Sequence, residues 1–309
     1  MSGGWDFAAE LARWGPDAET ADLKTSREYC QNLAKTHYEN FPVVTWFVPR
    51  ELRPHFAHVY AYCRWSDDLA DEVGDRETSL RLLDWWRGEL LSCYVGTPKH
   101  PITVALQETI RNYSIPKEPF LDLLEAFSRD QTQVRYETFD DLLSYCRKSA
   151  DPVGRLVLYL ARRAEEQLFA WSDSICTGLQ LANFWQDVTV DWKKGRVYVS
   201  QDDLRRFEVT EDEIARGRPT DEFRALMRFE VERAESLLKA GRPLAREMPG
   251  RLKFVIALFM EGGLGILRKI RQRDFDVLSA RPKLTKGSYV GIMSRALRTA
   301  VGKRRVGAP

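Results

Sequence analysis

Cysteine and histidine are scarce in this sequence, and neither is clustered. The five cysteines, Cys30, Cys63, Cys93, Cys146 and Cys176, are scattered without close pairing. That excludes the usual zinc and disulfide frameworks and fits a reducing, cytoplasmic setting. The four histidines lack metalloprotease-like spacing. Long apolar runs are missing too. The longest, "FVIALFM" from Phe254 to Met260, is held between Lys253 and Glu261, far short of the roughly 20 residues that span a bilayer. The opening "MSGGWDFAAELARW" has neither the basic head nor the apolar run of a secretory signal. Net charge is only +2, so no global field for polyanions exists and no nucleic-acid partner is expected. No G-x-G-x-x-G follows a strand-like segment, so nothing suggests a nucleotide fold.

Strand signals are equally rare, whereas helical periodicity is nearly everywhere. "SLRLLDWWRGELLSCYV", "EPFLDLLEAFSRDQTQV" and "DEFRALMRFEVERAESLLKAG" place apolar residues three and four apart. Turn signals divide them: "VGDRET", "VGTPKHP", "NYSIPKEP", "GRPT", "AGRPL" and "MPGR". About a dozen short-linked helical segments fit between Asp17 and Thr299 by this reading, as in a helical bundle. No flexible linker and no solenoid repeat interrupts them, so the 309 residues read as one all-α domain. Its core spans about residues 25–285, and residues 286–309 form a basic tail. From Arg281 to Arg305 there are many Lys and Arg and no Asp or Glu. Such an end can meet anionic lipid heads at the inner membrane or simply stay solvated. "SADPVGRLVLYL" carries Pro152 and Gly154 inside a helical pattern, which predicts a break or kink.

Two segments concentrate carboxylates among aromatic residues. In "YAYCRWSDDLADEV", Asp67 and Asp71 are four apart and share one helical face, with Arg64 a turn earlier. In "LQLANFWQDVTVDWKKGRVYVS", Asn183, Asp187 and Asp191 follow at four-residue steps, with Gln180 preceding them. Stacked carboxylates in a partly dry place repel or take up protons. A hard divalent cation removes that conflict, and Mg²⁺ commonly bridges one or two carboxylates to substrate phosphates. Either ladder alone reads as ordinary solvated surface. Both together, the second followed by Lys193, Lys194, Arg196 and Tyr198, point to an ion-bound diphosphate.

At these residues the chain resembles the squalene/phytoene synthase family. "YCRWSDDLADE" is similar to the family's first aspartate-rich motif, and "QLANFWQDVTVDWKKGRVYVS" to its second, G-R-x-Y included. The likeness runs from about "KTHYENF" to "GGLGILRKIRQRDFDVLSARPKL". It implies packed helices around a central apolar cavity, with Mg²⁺ and an isoprenoid diphosphate at its mouth. It also implies Asp67, Asp71, Asn183, Asp187 and Asp191 as metal-binding positions. Arg64, Asp68, Gln180, Arg196 and Tyr198 are implied as diphosphate-side support, and Tyr60 as a residue facing the isoprenoid. Phe41 joins the aromatic candidates for a carbocation, with Phe184 and Trp185 read chiefly as core.

Departures from the family pattern narrow the reading. Gln186 stands where squalene and phytoene synthases carry an arginine, "HYENFP" replaces a Ser-rich signal, and Arg147 takes the place of a tyrosine. One arginine fewer beside a diphosphate disfavours holding two farnesyl diphosphates together. The combination is similar to bacterial hydroxysqualene synthases, which implies conversion of presqualene diphosphate to hydroxysqualene with water and no nicotinamide cofactor. Condensation of two farnesyl diphosphates to presqualene diphosphate or squalene stays open, as does, less favoured, phytoene synthesis. A non-catalytic scaffold relative is a further alternative from another class. Oligomeric state is not fixed by sequence.

Overall fold

A computed structural model describes residues 5–37 and 48–301. Phe41, Glu39 and Asn40 lie outside them. The described residues form fifteen helical segments and no strand, as the periodicity predicts. They are α1 (Phe7–Trp14), α2 (Leu23–His37), α3 (Arg53–Asp71), α4 (Arg76–Val95), α5 (Pro101–Tyr113), α6 (Glu118–Asp130), α7 (Phe139–Ser149) and α8 (Asp151–Leu160). Then follow α9 (Glu166–Lys193), α10 (Gln201–Arg206), α11 (Glu211–Arg216), α12 (Asp221–Ala240), α13 (Leu244–Glu247), α14 (Leu252–Gln272) and α15 (Lys286–Val301). Turn signals mark their ends, and local chemistry closes them. Asp75 caps α4 by accepting from Thr78 N at 2.8 Å. Thr138 and Asp141 form a capping box at α7. The break predicted near Pro152 falls at Ala150, between α7 and α8, because proline has no N–H to continue the ladder.

Two compact units emerge. One comprises the described residues up to Gln133 together with Pro152–Ala164; the other comprises Val134–Asp151 and the described residues from Glu165 onward. In the first, α3 packs against α2, α4, α5 and α6. Its inward face carries Tyr62, Trp65 and Leu69, all fully buried. Tyr62 stacks on Trp86 with ring centroids 5.6 Å apart, and the Trp86 indole N–H donates to Ser66 Oγ at 2.9 Å. Burial of each such side chain stabilises by about 1.5–3 kcal/mol, which fixes the rotation of the whole helix.

In the second unit, α9 packs on α12 and α14. The three helices meet around Leu238. A Cβ on Gly178 would lie 2.8 Å from Leu238 Cγ, and one on Gly263 would lie 2.7 Å from Leu179 Cδ2. At Gly178 the Leu238 backbone N, 3.0 Å from such a Cβ, leaves no room for one, whereas at Gly263 the leucine methyls would have to move aside. α9 also bends. Asp187 has φ −108° and ψ 15°, a non-helical pair inside the helix.

Candidate active site

The first ladder lies on α3, in the first unit. Pro54 opens the helix at a position where no N–H is needed. Because the aromatic side is locked inward, Arg64, Asp67 and Asp71 are left on the accessible side. Their environments differ sharply. Asp68 is fully buried; it accepts two guanidinium N–H groups from Arg64, one at 3.2 Å, and the Trp5 indole N–H at 3.0 Å. A carboxylate so engaged serves as an internal counter-charge. It holds Arg64, whose Nη1 also lies 3.5 Å from Asp67 Oδ2. Asp67 is half-buried and Asp71 exposed, so those two present oxygens one turn apart. Tyr60, one turn before Arg64, is half-buried, and burial lifts its phenol above the ordinary tyrosine range, keeping it neutral.

The second ladder lies on α9, in the second unit. Asn183 is exposed and Gln180 half-buried. At the kink, Asp187 accepts a bidentate pair from Arg281, with Nη2 to Oδ2 at 2.9 Å. Asp191 is more deeply set. Burial, and then the neighbouring Asp187, push its carboxyl up to about 7. Its carbonyl accepts the N–H groups of Lys194 at 3.0 Å and Arg196 at 2.9 Å. Gly195, at φ +76°, makes that turn possible. Arg135 fastens it from outside, donating to Gly195 O at 2.6 Å while paired with Glu211 at 2.6 Å.

Beyond the turn, Tyr198 lies flat on Phe184, centroids 3.7 Å apart and planes 9° apart. Tyr136 continues the stack at 5.9 Å. A narrow crevice in this unit is lined by Phe184, Val188, Asp191, Arg196, Tyr198 and Ile214. It brings a lifted carboxylate, an arginine and three aromatic residues, Phe184, Trp185 and Tyr198, together. Gln186 is buried, and its amide donates to Pro282 O at 2.6 Å. Arg147 is exposed in the last turn of α7.

The donor set fits a hard cation. Among the described residues no three His, Cys, Asp or Glu side chains gather closely enough to cage an ion alone. Mg²⁺ does not require that, since it retains waters and takes one or two carboxylates plus phosphate oxygens. Asp187 is paired with a guanidinium, and Asp191 is lifted by burial and then by its neighbour Asp187. Such a pair is chemically suited to a hard cation.

Residues 34–288 match the family described as squalene/phytoene synthase. The chain belongs to the squalene/phytoene synthase family. It is thus an enzyme of an isoprenoid diphosphate-using family that is generally dependent on divalent metal. It is 33% identical over 286 residues to the hydroxysqualene synthase of Rhodopseudomonas palustris, covering 89% of this chain and 95% of that protein. It is 29% identical over 274 residues to the phytoene synthase of Arthrospira platensis, covering 84% and 89%. The crystal structure of the squalene synthase HpnC from Alicyclobacillus acidocaldarius superposes with a TM-score of 0.79 at 45% identity, covering 82% of this chain and 96% of that one. A dehydrosqualene synthase structure, 22% identical, shares the fold with a TM-score of 0.80.

Sequence reasoning alone missed three contributors in this synthase. Arg281 reads in sequence as the start of a basic tail, yet it grips Asp187 from 94 positions away. Trp5 supports Asp68, and Arg135 supports the Gly195 turn. None has a local signal, because each acts across a long sequence separation. No described helix is long and apolar enough to cross a membrane.

Proposed function

We propose that this synthase is a Mg²⁺-dependent hydroxysqualene synthase, cytoplasmic, with residues 1–309 as a single isoprenoid synthase domain. Presqualene diphosphate loses diphosphate by C–O cleavage. The resulting carbocation rearranges, and one water adds its oxygen to carbon and releases a proton. No hydride is transferred, so no nicotinamide enters. Asp67, Asp71, Asn183, Asp187 and Asp191 are the residues that would hold Mg²⁺, which supplies Lewis-acid neutralisation of the departing diphosphate.

The chain's own groups do the remaining work. Arg64, oriented by Asp68, and Arg196 donate charge-assisted hydrogen bonds to phosphate oxygens. Gln180, Arg147 and the Tyr198 phenol are further candidates on the diphosphate side, and Phe41 on the hydrocarbon side. Tyr60, neutral and half-buried, offers a ring face to the cation, a contact of about 0.5–2 kcal/mol.

One observation carries the choice of reaction. Gln186, at the position where the family resemblance expects an arginine, is a neutral amide engaged with Pro282 O. It brings no charge to a second diphosphate, which supports a single, already condensed substrate. Similarity to a hydroxysqualene synthase supports the same choice. A second reading, condensation of two prenyl diphosphates, is favoured by the likeness to phytoene synthases.

Product analysis separates them. Incubated with Mg²⁺ and presqualene diphosphate but no NADPH, the pure protein should release pyrophosphate and an alcohol. With farnesyl diphosphate alone it should consume nothing. Unchanged presqualene diphosphate, or conversion of farnesyl diphosphate alone, would overturn the proposal.

A further inference from the structure

Helix α15 buries one side and leaves an apolar stripe uncovered on the next. Ile292, Ala296, Thr299 and Ala300 are buried, and α15 packs on α14. Polar contacts fix its rotation: the buried Glu261 carboxylate accepts from Arg295 Nε at 3.2 Å and from Thr299 Oγ1 at 3.4 Å. With that rotation set, Tyr289, Val290, Met293, Leu297 and Val301 face outward, Val290 at 72% and Leu297 at 57% exposure. At 100° per residue these five fall within an arc of roughly 120°. Ten large hydrophobic side chains are exposed among the described residues, and five of them lie on this one helix. Scattered exposed hydrophobics are ordinary, but a clustered stripe marks a contact surface.

Charge indicates what the stripe meets. From Arg281 to Pro309 the sequence has eight Lys or Arg and no Asp or Glu. That segment therefore carries +8, with Arg281 and Arg295 paired to Asp187 and Glu261, and the rest of the chain −6, giving the +2 of the whole. An apolar helical stripe in an all-basic segment complements an anionic lipid surface, where apolar insertion and headgroup attraction act together. We propose that α15 lies in the headgroup plane of an anionic phospholipid membrane, its outward stripe in the acyl boundary and its basic flank toward the phosphates, with the segment's net positive charge adding long-range attraction. Each signal alone is a weak anchor, and the pair makes a stable, reversible one. This surface is independent of which isoprenoid reaction the synthase performs.

Co-sedimentation of the full chain with vesicles tests it. Wild type should pellet with phosphatidylglycerol–phosphatidylcholine vesicles and stay in solution with phosphatidylcholine alone, and high salt should weaken the binding. The double substitution Val290→Glu with Leu297→Glu should cut partitioning by roughly tenfold or more. A second variant, Lys303→Gln, Arg304→Gln and Arg305→Gln, leaves the helix untouched and should also weaken binding, by a smaller factor. Partitioning equal to wild type in both variants would overturn the proposal. So would a wild type that ignores anionic vesicles, including one that dimerises through this stripe in sedimentation velocity and loses the dimer in the double variant.

Discussion

The acidic segments of α3 and α9 share a spacing but differ in state. On α3 the costly carboxylate, Asp68, is fully buried and already satisfied by Arg64 and Trp5. Asp67 and Asp71 remain on the accessible side. On α9 the ladder itself is under strain of charge: Asp187 borrows a guanidinium from Arg281, and burial with Asp187 nearby lifts Asp191 to about 7. The same spacing thus carries a counter-charged Asp68 beside the α3 ladder and, on α9, a guanidinium-paired Asp187 beside a lifted Asp191. A buried aspartate with its counter-charge serves the fold, whereas the α9 carboxylates are a pair suited to further positive charge.

The largest expected effect is on turnover. Neutralising a ladder position on either helix, Asp71→Asn or Asp191→Asn, should lower diphosphate release by about 10²–10³-fold, the value of several kcal/mol of charge stabilisation. Steady-state pyrophosphate assay measures it. A residual rate near wild type in either variant would remove that ladder from the site.

Stability should separate the two kinds of aspartate. Asp68→Ala leaves Arg64 and the Trp5 N–H without their buried partner, and should cost about 3 kcal/mol in urea unfolding. Asp71→Ala, at an exposed position, should lower the midpoint less. Equal midpoints for both variants would show that Asp68 is no structural anchor.

Arg281→Gln sharpens the account of α9. Removing the competing guanidinium should raise Mg²⁺ affinity in the absence of diphosphate by about two- to fivefold, in line with a partly exposed ion pair. Calorimetric titration with Mg²⁺ alone gives the answer; unchanged or weaker binding would contradict it.

The smallest effect is a pH dependence within the second unit. Glu230 is buried, and that burial pushes its carboxyl up to about 8 despite Arg233 at 3.2 Å. The folded chain then keeps a proton that the unfolded chain releases near 4.5. Stability therefore falls as pH rises from there through about 8. Glu230→Gln should flatten that slope in urea midpoints measured across the range, and an unaltered slope would exclude Glu230 as its source.

Much of this was readable from local pattern. Helical periodicity and turn signals place the helices and their breaks, including the one before Pro152. Four-residue spacing picks out Asp67, Asp71, Asn183, Asp187 and Asp191 because a helix turn brings them onto one face. Partners distant in sequence were not readable. Arg281 reaches Asp187, and Gln186 reaches Pro282 O, only once the segment after α14 returns to α9. Nor does any proline or glycine announce the bend at Asp187. The burial of Asp68 was half readable: it neighbours the inward Trp65 and Leu69, but its bond to Trp5 depends on tertiary packing.

Calorimetric binding of a non-hydrolysable isoprenoid diphosphate analogue, with and without Mg²⁺, to wild type, Asp71→Asn and Asp191→Asn tests the central claim most directly. If both ladders contribute to ion-dependent diphosphate binding, binding requires Mg²⁺ and is lost in each variant. Mg²⁺-independent binding, or full affinity after either ladder is neutralised, would contradict it.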